Sequence, residues 1–118
     1  MTLATAEKGA EAEESAARFL ERQGLRILQR NYRTRQGEVD VIAQEGATLV
    51  FVEVRARRSL AFGGAAASVN RAKQRRIEAA ARHYLLRLGS EPPCRFDVLA
   101  WQGTQPEPAW IRGAFEAT

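Results

Sequence analysis

An α/β fold is what this sequence predicts: a mixed sheet flanked by helices, with elements in the order αβββαβ. Three observations point to it. Two segments, Glu7–Gln23 and Arg71–Leu88, carry apolar residues at helical spacing. Between them lie three stretches of strand-like composition separated by short turns. A further apolar run, Cys94–Trp101, follows the second helix after Pro92-Pro93, which forces an extended entry. The chain has 118 residues, the length of one domain, expected to cover residues 1–118.

In the first helix Ala12, Ala16, Phe19 and Leu20 form one stripe, small enough to pack closely on a sheet. Glutamates crowd its first turns, Arg18 and Arg22 lie toward its end, and Gly24 stops it. The first strand is expected over Leu25–Arg33 with Ile27 and Leu28 in the core, and Gly37 breaks it. The second, Glu38–Gln44, alternates Val39, Val41 and Ala43 with Glu38, Asp40 and Ile42. Glu45-Gly46 suits the hairpin turn. The third, Thr48–Ala56, is apolar on both faces until Glu53 and Arg55, the mark of a central strand.

Ser59–Ser68, with Gly63-Gly64 and its alanines, reads as a mobile loop. Asn70 caps the second helix and Gly89 ends it; Ile77, Ala80, Ala81, Tyr84, Leu85 and Leu88 make its apolar stripe. The crossover from the third strand through this helix to the Cys94 strand should be parallel and right-handed. Ala109–Arg112 is a candidate short edge strand before a frayed or helical tail.

Composition excludes several chemistries. The one cysteine, Cys94, makes neither an intramolecular disulfide nor a cysteine-built zinc site, and reads as a small core residue. His83 is the one histidine, and any histidine-based triad would have to run through it; it reads as solvated or beside phosphate. Met1–Glu7 shows no apolar signal core and no stretch is long enough to span a membrane, so a cytoplasmic protein is expected. Trp101 and Trp110 are expected to close a core or an edge, and Asp97 to pair with an arginine.

The net charge of +4 hides an asymmetry. Residues 55–87 hold nine basic residues against Glu78 alone, a net +8, which leaves −4 for the remainder. Such a cluster is either a footprint for a phosphate backbone or a solvated helix face.

Against this background three charged residues enter valine-rich strands. With a two-residue turn at Glu45-Gly46, Gln44 opposes Ala47 and Asp40 opposes Phe51, so Asp40 and Glu53 become diagonal neighbours on one face with Arg55. Two close carboxylates are usually tolerated when a cation sits between them, and Mg²⁺ commonly uses one or two carboxylates with water and phosphate oxygens. The other reading is a Glu53–Arg55 ion pair at a strand end with Asp40 solvated at an edge. A one-residue slip would put Asp40 and Glu53 on opposite faces.

The blocks Asn31-Tyr32-Arg33, Gly37-Glu38-Val39-Asp40-Val41-Ile42 and Phe51-Val52-Glu53-Val54-Arg55 resemble the YraN-type bacterial family, of restriction-endonuclease-like, PD-(D/E)xK fold. The resemblance extends to Ala16-Ala17-Arg18-Phe19-Leu20, Val69 with Lys73-Gln74, and Arg95-Phe96-Asp97-Val98. It implies a Holliday-junction-resolvase-like site. Asp40 matches the motif aspartate, Glu53 the acid of the E-x-K element, and Glu13 the extra helix glutamate. Val54 would offer a backbone carbonyl, while Glu38 has no defined role. Two residues depart from the pattern. Arg55 stands where the element has lysine, and arginine is a poor general base. Ala12 stands where the family often has glycine.

The expectation is therefore a metal-dependent endonuclease in which Glu13, Asp40 and Glu53 hold Mg²⁺ or Mn²⁺. Arg55 orients water or the scissile phosphate, and Arg57, Arg58, Arg71, Lys73, Arg75 and Arg76 track the backbone of DNA, branched or structured DNA by family analogy. The alternatives are a DNA-binding module with a dead site, favoured by Arg55, and a protein-interaction domain. A symmetric homodimer would suit cleavage of two strands.

Overall fold

A computed structural model describes residues 5–57 and 64–117. Helix α1 (Thr5–Arg22) leads into a meander of β1 (Arg26–Arg33), β2 (Glu38–Glu45) and β3 (Thr48–Arg57). A short helix α2 (Gly64–Ala67) and the long α3 (Arg71–Leu88) precede β4 (Cys94–Gln102) and β5 (Ala109–Phe115). The strands form one sheet in the order β1-β2-β3-β4-β5. The β3–β4 pair is parallel and the others antiparallel, as the crossover rule requires. This mixed five-stranded sheet flanked by helices is consistent with a restriction-endonuclease-like arrangement.

Central strands bury both faces. Val41, Ala43, Val50, Val52 and Leu99 pack against Ala16, Phe19 and Leu20 of α1. Val39, Ile42, Leu49, Phe51 and Val98 pack against Ile77, Ala80 and Ala81 of α3. Gly24, at φ 93°, ends α1 and lets the Leu25 amide reach back to the Leu20 carbonyl at 3.0 Å. Asn70 caps α3 by accepting from the Lys73 amide at 2.9 Å, and Gly89 closes it in the left-handed region.

Several expectations change. The β2–β3 turn is centred on Gly46-Ala47, with Glu45 opposite Thr48. Gly46 has φ 59° at the first central position; a turn one residue earlier would demand positive φ of Glu45. The register thus moves by two residues and face parity survives. Alternation in β2 slips, however: Val39 joins Ile42 on the α3 side while Val41 and Ala43 face α1. In the paired stretch of β1, Asn31 sits at φ 53°, between the Arg30–Val41 and Tyr32–Val39 partners.

Leu25 and Tyr32 are buried, whereas Ile27 and Leu28 are only half-buried. Leu88, assigned to the apolar stripe of α3, is exposed, because α3 outruns the sheet there. Cys94 is exposed at the start of β4 rather than in the core. The segment read as a loop contains α2, whose Ala65 amide is held by Gln102 Oε1 at 2.9 Å; residues 59–63 of it lie outside the described residues. The tail continues as strand through Phe115 because the buried Asp97 carboxylate accepts from the Gly113 amide across a register shift. Phe115 then stacks on Phe96.

Two contacts fix the layers. Gly37 is buried so close to α3 that a Cβ there would lie 1.9 Å from the Arg76 carbonyl oxygen. At the far end of β2, Glu45 accepts from Arg95 at 2.9 Å and from both terminal nitrogens of Arg112 at 2.9 and 3.0 Å. Arg95 also chelates Asp97 through Nε and Nη2. The arginines hold the Glu45 carboxyl below its ordinary range.

Gly37→Ala is expected to destabilise the fold by about 2–4 kcal/mol in urea denaturation, since main chain must move to admit the methyl group. Glu45→Gln is expected to cost about 1 kcal/mol at neutral pH. A depressed carboxyl stabilises the fold above its unfolded value and loses that contribution as pH falls through the folded one. The difference between wild type and Glu45→Gln should therefore close below the ordinary carboxylate range, read by denaturation at stepped pH.

Candidate active site

The start of β2 and the end of β3 meet at one margin of the sheet, where α1 and α3 both reach past it. A cleft of about 480 Å³ opens there. Glu13 lines it from α1, Glu38 and Asp40 from β2, Glu53 to Arg57 from β3, and Lys73 from α3.

Continuing the observed register places Asp40 level with Glu53, directly across rather than diagonal. Asp40 Oδ2 accepts from the Val54 amide at 2.8 Å, which closes the strand pair where regular pairing has ended. The Asp40 carboxyl is close enough to perturb that of Glu53. Glu53 is 2 % exposed. Burial first, then the Asp40 charge, push its carboxyl up to about 8, against the pull of Arg55 and Lys73.

Arg55 Nη2 lies 3.1 Å from Glu53 Oε2, and Lys73 Nζ lies 3.6 Å from the same oxygen. The other oxygen, Oε1, is buried and has no hydrogen-bond partner, and neither has Arg55 Nε. A buried acceptor left in this state is costly. Lys73 Nζ also stands 3.8 Å from Glu38 Oε1, and Glu38 pairs in turn with Arg33.

Glu13 faces the same cleft, where Asn31, Arg30 and Arg33 favour its charged form. Partial burial and the Asp40 charge raise its carboxyl above the ordinary value. Among the described residues, no three His, Cys, Asp or Glu side chains are gathered as a metal centre. The acidic group is thus the Asp40–Glu53 pair with Glu13 at its margin. The sign of this in the sequence is the charged trio itself; Lys73 read there only as one of the backbone-tracking cations.

The expected phosphate-tracking cations divide. Arg57 lines the cleft, and Lys73 sits inside it. Arg71, Arg75 and Arg76 are exposed on the first turns of α3, with no carboxylate in ion-pair distance among the described residues. Arg58 lies outside the described residues. The singular side chains elsewhere are structural. His83 is exposed and shares a hydrogen bond with the Tyr32 hydroxyl. Trp101 Nε1 donates to the Pro106 carbonyl and Trp110 Nε1 to Asp97. No helix among the described residues is long and apolar enough to cross a membrane.

Comparison with known proteins places the chain among relatives of similar length. The family model described as "Uncharacterised protein family UPF0102" matches residues 12–101, which contain Glu13, Asp40, Glu53, Arg55 and Lys73. A UPF0102 protein of Nitrosomonas eutropha is 51% identical over 112 residues, covering 95% of this chain and 96% of that one. One from Dechloromonas aromatica is 52% identical over 115 residues, covering 96% and 92%. One from Albidiferax ferrireducens is 55% identical over 114 residues, covering 92% and 87%. With a match over most of its length and relatives at about half identity, the chain belongs to the UPF0102 family, the YraN-type family that its motifs resemble.

Proposed function

We propose that the cleft is the active site of a divalent-metal-dependent nuclease that hydrolyses phosphodiester bonds in DNA. The observation that carries this reading is Glu53: a buried carboxyl group beside Asp40, with one oxygen that has no hydrogen-bond partner. Protein cations only partly meet that demand, since burial and Asp40 still outweigh Arg55 and Lys73. A hard cation would meet it fully.

The residues present fit such a group. Asp40 and Glu53 would hold Mg²⁺ or Mn²⁺ with water, while Glu13 and Val54 line the same cleft without being gathered with the pair as a three-acid centre. When bound, the ion supplies Lewis-acid polarisation of a phosphoryl oxygen and charge neutralisation. The chain's own residues do the rest. The Val54 amide fixes the Asp40 carboxylate, and Arg55 holds Glu53 from within the strand. Arg57, Arg71, Arg75 and Arg76 offer unopposed positive charge along which a nucleic-acid backbone would lie. Branched DNA as the preferred form rests on family analogy.

A second reading, a module that binds DNA without cutting it, draws on Arg55 at the lysine position. It predicts salt-sensitive binding with no divalent-dependent products.

The deciding experiment incubates wild type, Asp40→Asn and Glu53→Gln with duplex, single-stranded and four-way-junction DNA, with and without Mg²⁺ or Mn²⁺. Both variants are expected to retain DNA binding and to lose cleavage by about 100-fold or more. Identical products from wild type and variants would sink the nuclease reading.

A stability measurement tests the Glu53 site without DNA. An acid raised in the fold favours folding when protonated and opposes it when ionised. Metal-free wild type should therefore lose stability relative to Glu53→Gln as pH rises from the ordinary carboxylate range to about 8. The gap at the upper end is expected to be on the order of 4 kcal/mol. Millimolar Mn²⁺ should raise the wild-type midpoint and leave that of Glu53→Gln unmoved.

A further inference from the structure

We propose that Lys73 is the cation that serves a substrate phosphate in this cleft, resting against Glu38 and Glu53 until nucleic acid and a divalent ion arrive. The proposal rests on the metal-nuclease reading above and names a working residue within it.

Arg55 and Lys73 both approach Glu53, in different ways. Arg55 lies 3.1 Å from Glu53 Oε2 with its side chain 19 % exposed and its Nε enclosed. Its planar fork is held inside the sheet margin, committed to Glu53. Lys73 stands 3.6 Å from Glu53 and 3.8 Å from Glu38, both longer than a formed charge-assisted hydrogen bond of about 2.7–2.9 Å. Its ammonium is held by the field of two carboxylates and by no closed contact with either.

The base of Lys73 is fixed where its tip is loose. Its own amide is the one that donates to the Asn70 cap, at 2.9 Å. One turn further on, the Arg76 carbonyl is butted against Gly37. Main chain is thereby anchored on two sides, and a flexible four-carbon stem carries a compact charge into the cleft. Such a group travels a few ångströms from carboxylate to phosphate without moving the helix. Glu38 is then a positioning residue: it pairs with Lys73 and with Arg33 and marks the resting place of the ammonium.

Lys73 lies beside Glu53, a carboxyl group that a divalent ion taking up the acidic pair would also engage. The two cations compete there in the absence of substrate. With an ion held by the acidic pair, Lys73 would be free to turn toward the incoming phosphate, where its positive charge would stabilise what develops during cleavage. This gives Lys73 two measurable effects of opposite sign.

The test uses the full chain as wild type, Lys73→Met, Lys73→Arg and Asp40→Asn. Mn²⁺ binding is measured by calorimetry without DNA, and cleavage by single turnover at saturating duplex and four-way-junction DNA. Lys73→Met is expected to bind Mn²⁺ about threefold more tightly, because a partly exposed competing charge has gone. The same variant is expected to cleave about 100-fold more slowly. Lys73→Arg should stay near wild type in Mn²⁺ affinity and recover part of the rate. Lys73→Gln repeats both readings should the methionine variant fold poorly. An active wild type, an inactive Asp40→Asn and charge-removing Lys73 variants unchanged in either reading overturn this proposal alone. A wild type that neither binds Mn²⁺ nor cuts DNA, or an Asp40→Asn that matches it, overturns the nuclease reading and this proposal together.

Discussion

The architecture of the cleft depends on a place where two backbones touch. Gly37 ends the β1–β2 turn against the main chain of α3, at a distance no side chain permits. The turn satisfies itself, with Thr34 accepting from the Gln36 and Gly37 amides, so nothing else competes for its geometry. Glu38 and Asp40 follow at once on β2, and Lys73 lies a turn upstream of Arg76 on α3. One glycine therefore sets how near the basic helix comes to the acidic strand. Glu13 arrives from the opposite layer through the small alanine face of α1, where Ala16 and Leu20 are fully buried.

Strand β2 joins two charged clusters of different character. At its end, Glu45 shares Arg95 and Arg112, and Asp97 gathers Arg95, Trp110 and Gly113. These acids are matched by donors and fasten β4 and β5 to the meander. At its start, Asp40 and Glu53 face each other with one Glu53 oxygen and the Arg55 Nε unmatched. Buried polar groups in a stable fold are nearly always satisfied; of the three unmatched ones among the described residues, Arg30 Nε lies on β1 and the other two share this cleft, which points to something the cleft is shaped to receive.

Much of this was legible in the residues. Helical periodicity, Asn70 and Gly89 marked α3, and the apolar run before Glu53 marked the central strand with its charge at the end. What the sequence concealed lay in local backbone and in distance. Whether Glu45 or Gly46 takes the first central turn position decides between a diagonal and a direct Asp40–Glu53 pair, and only positive φ at Gly46 settles it. The slip that parts Val39 from Val41 accompanies Asn31 at positive φ, which no alternation pattern announces. Lys73 looked like one more cation on a basic helix, because its nearness to Glu53 spans twenty residues of chain. Helix α2 was hidden because its anchor, Gln102, lies at the end of another strand.

The strand order carries a consequence for how the chain acquires its chemistry. Strands β1 to β3 pair with their sequence neighbours through short turns, so their contacts close early and at small entropic cost. The parallel β3–β4 pair waits for a crossover that includes α3, and α3 is what brings Lys73 to the cleft. Asp40, Glu53 and Arg55 are thus neighbours as soon as the hairpin forms, while the second counter-charge, Lys73, comes with the slowest, most distant contact. In a nascent chain the meander would hold two opposed carboxylates without that helix, a repulsion that docking of α3 relieves.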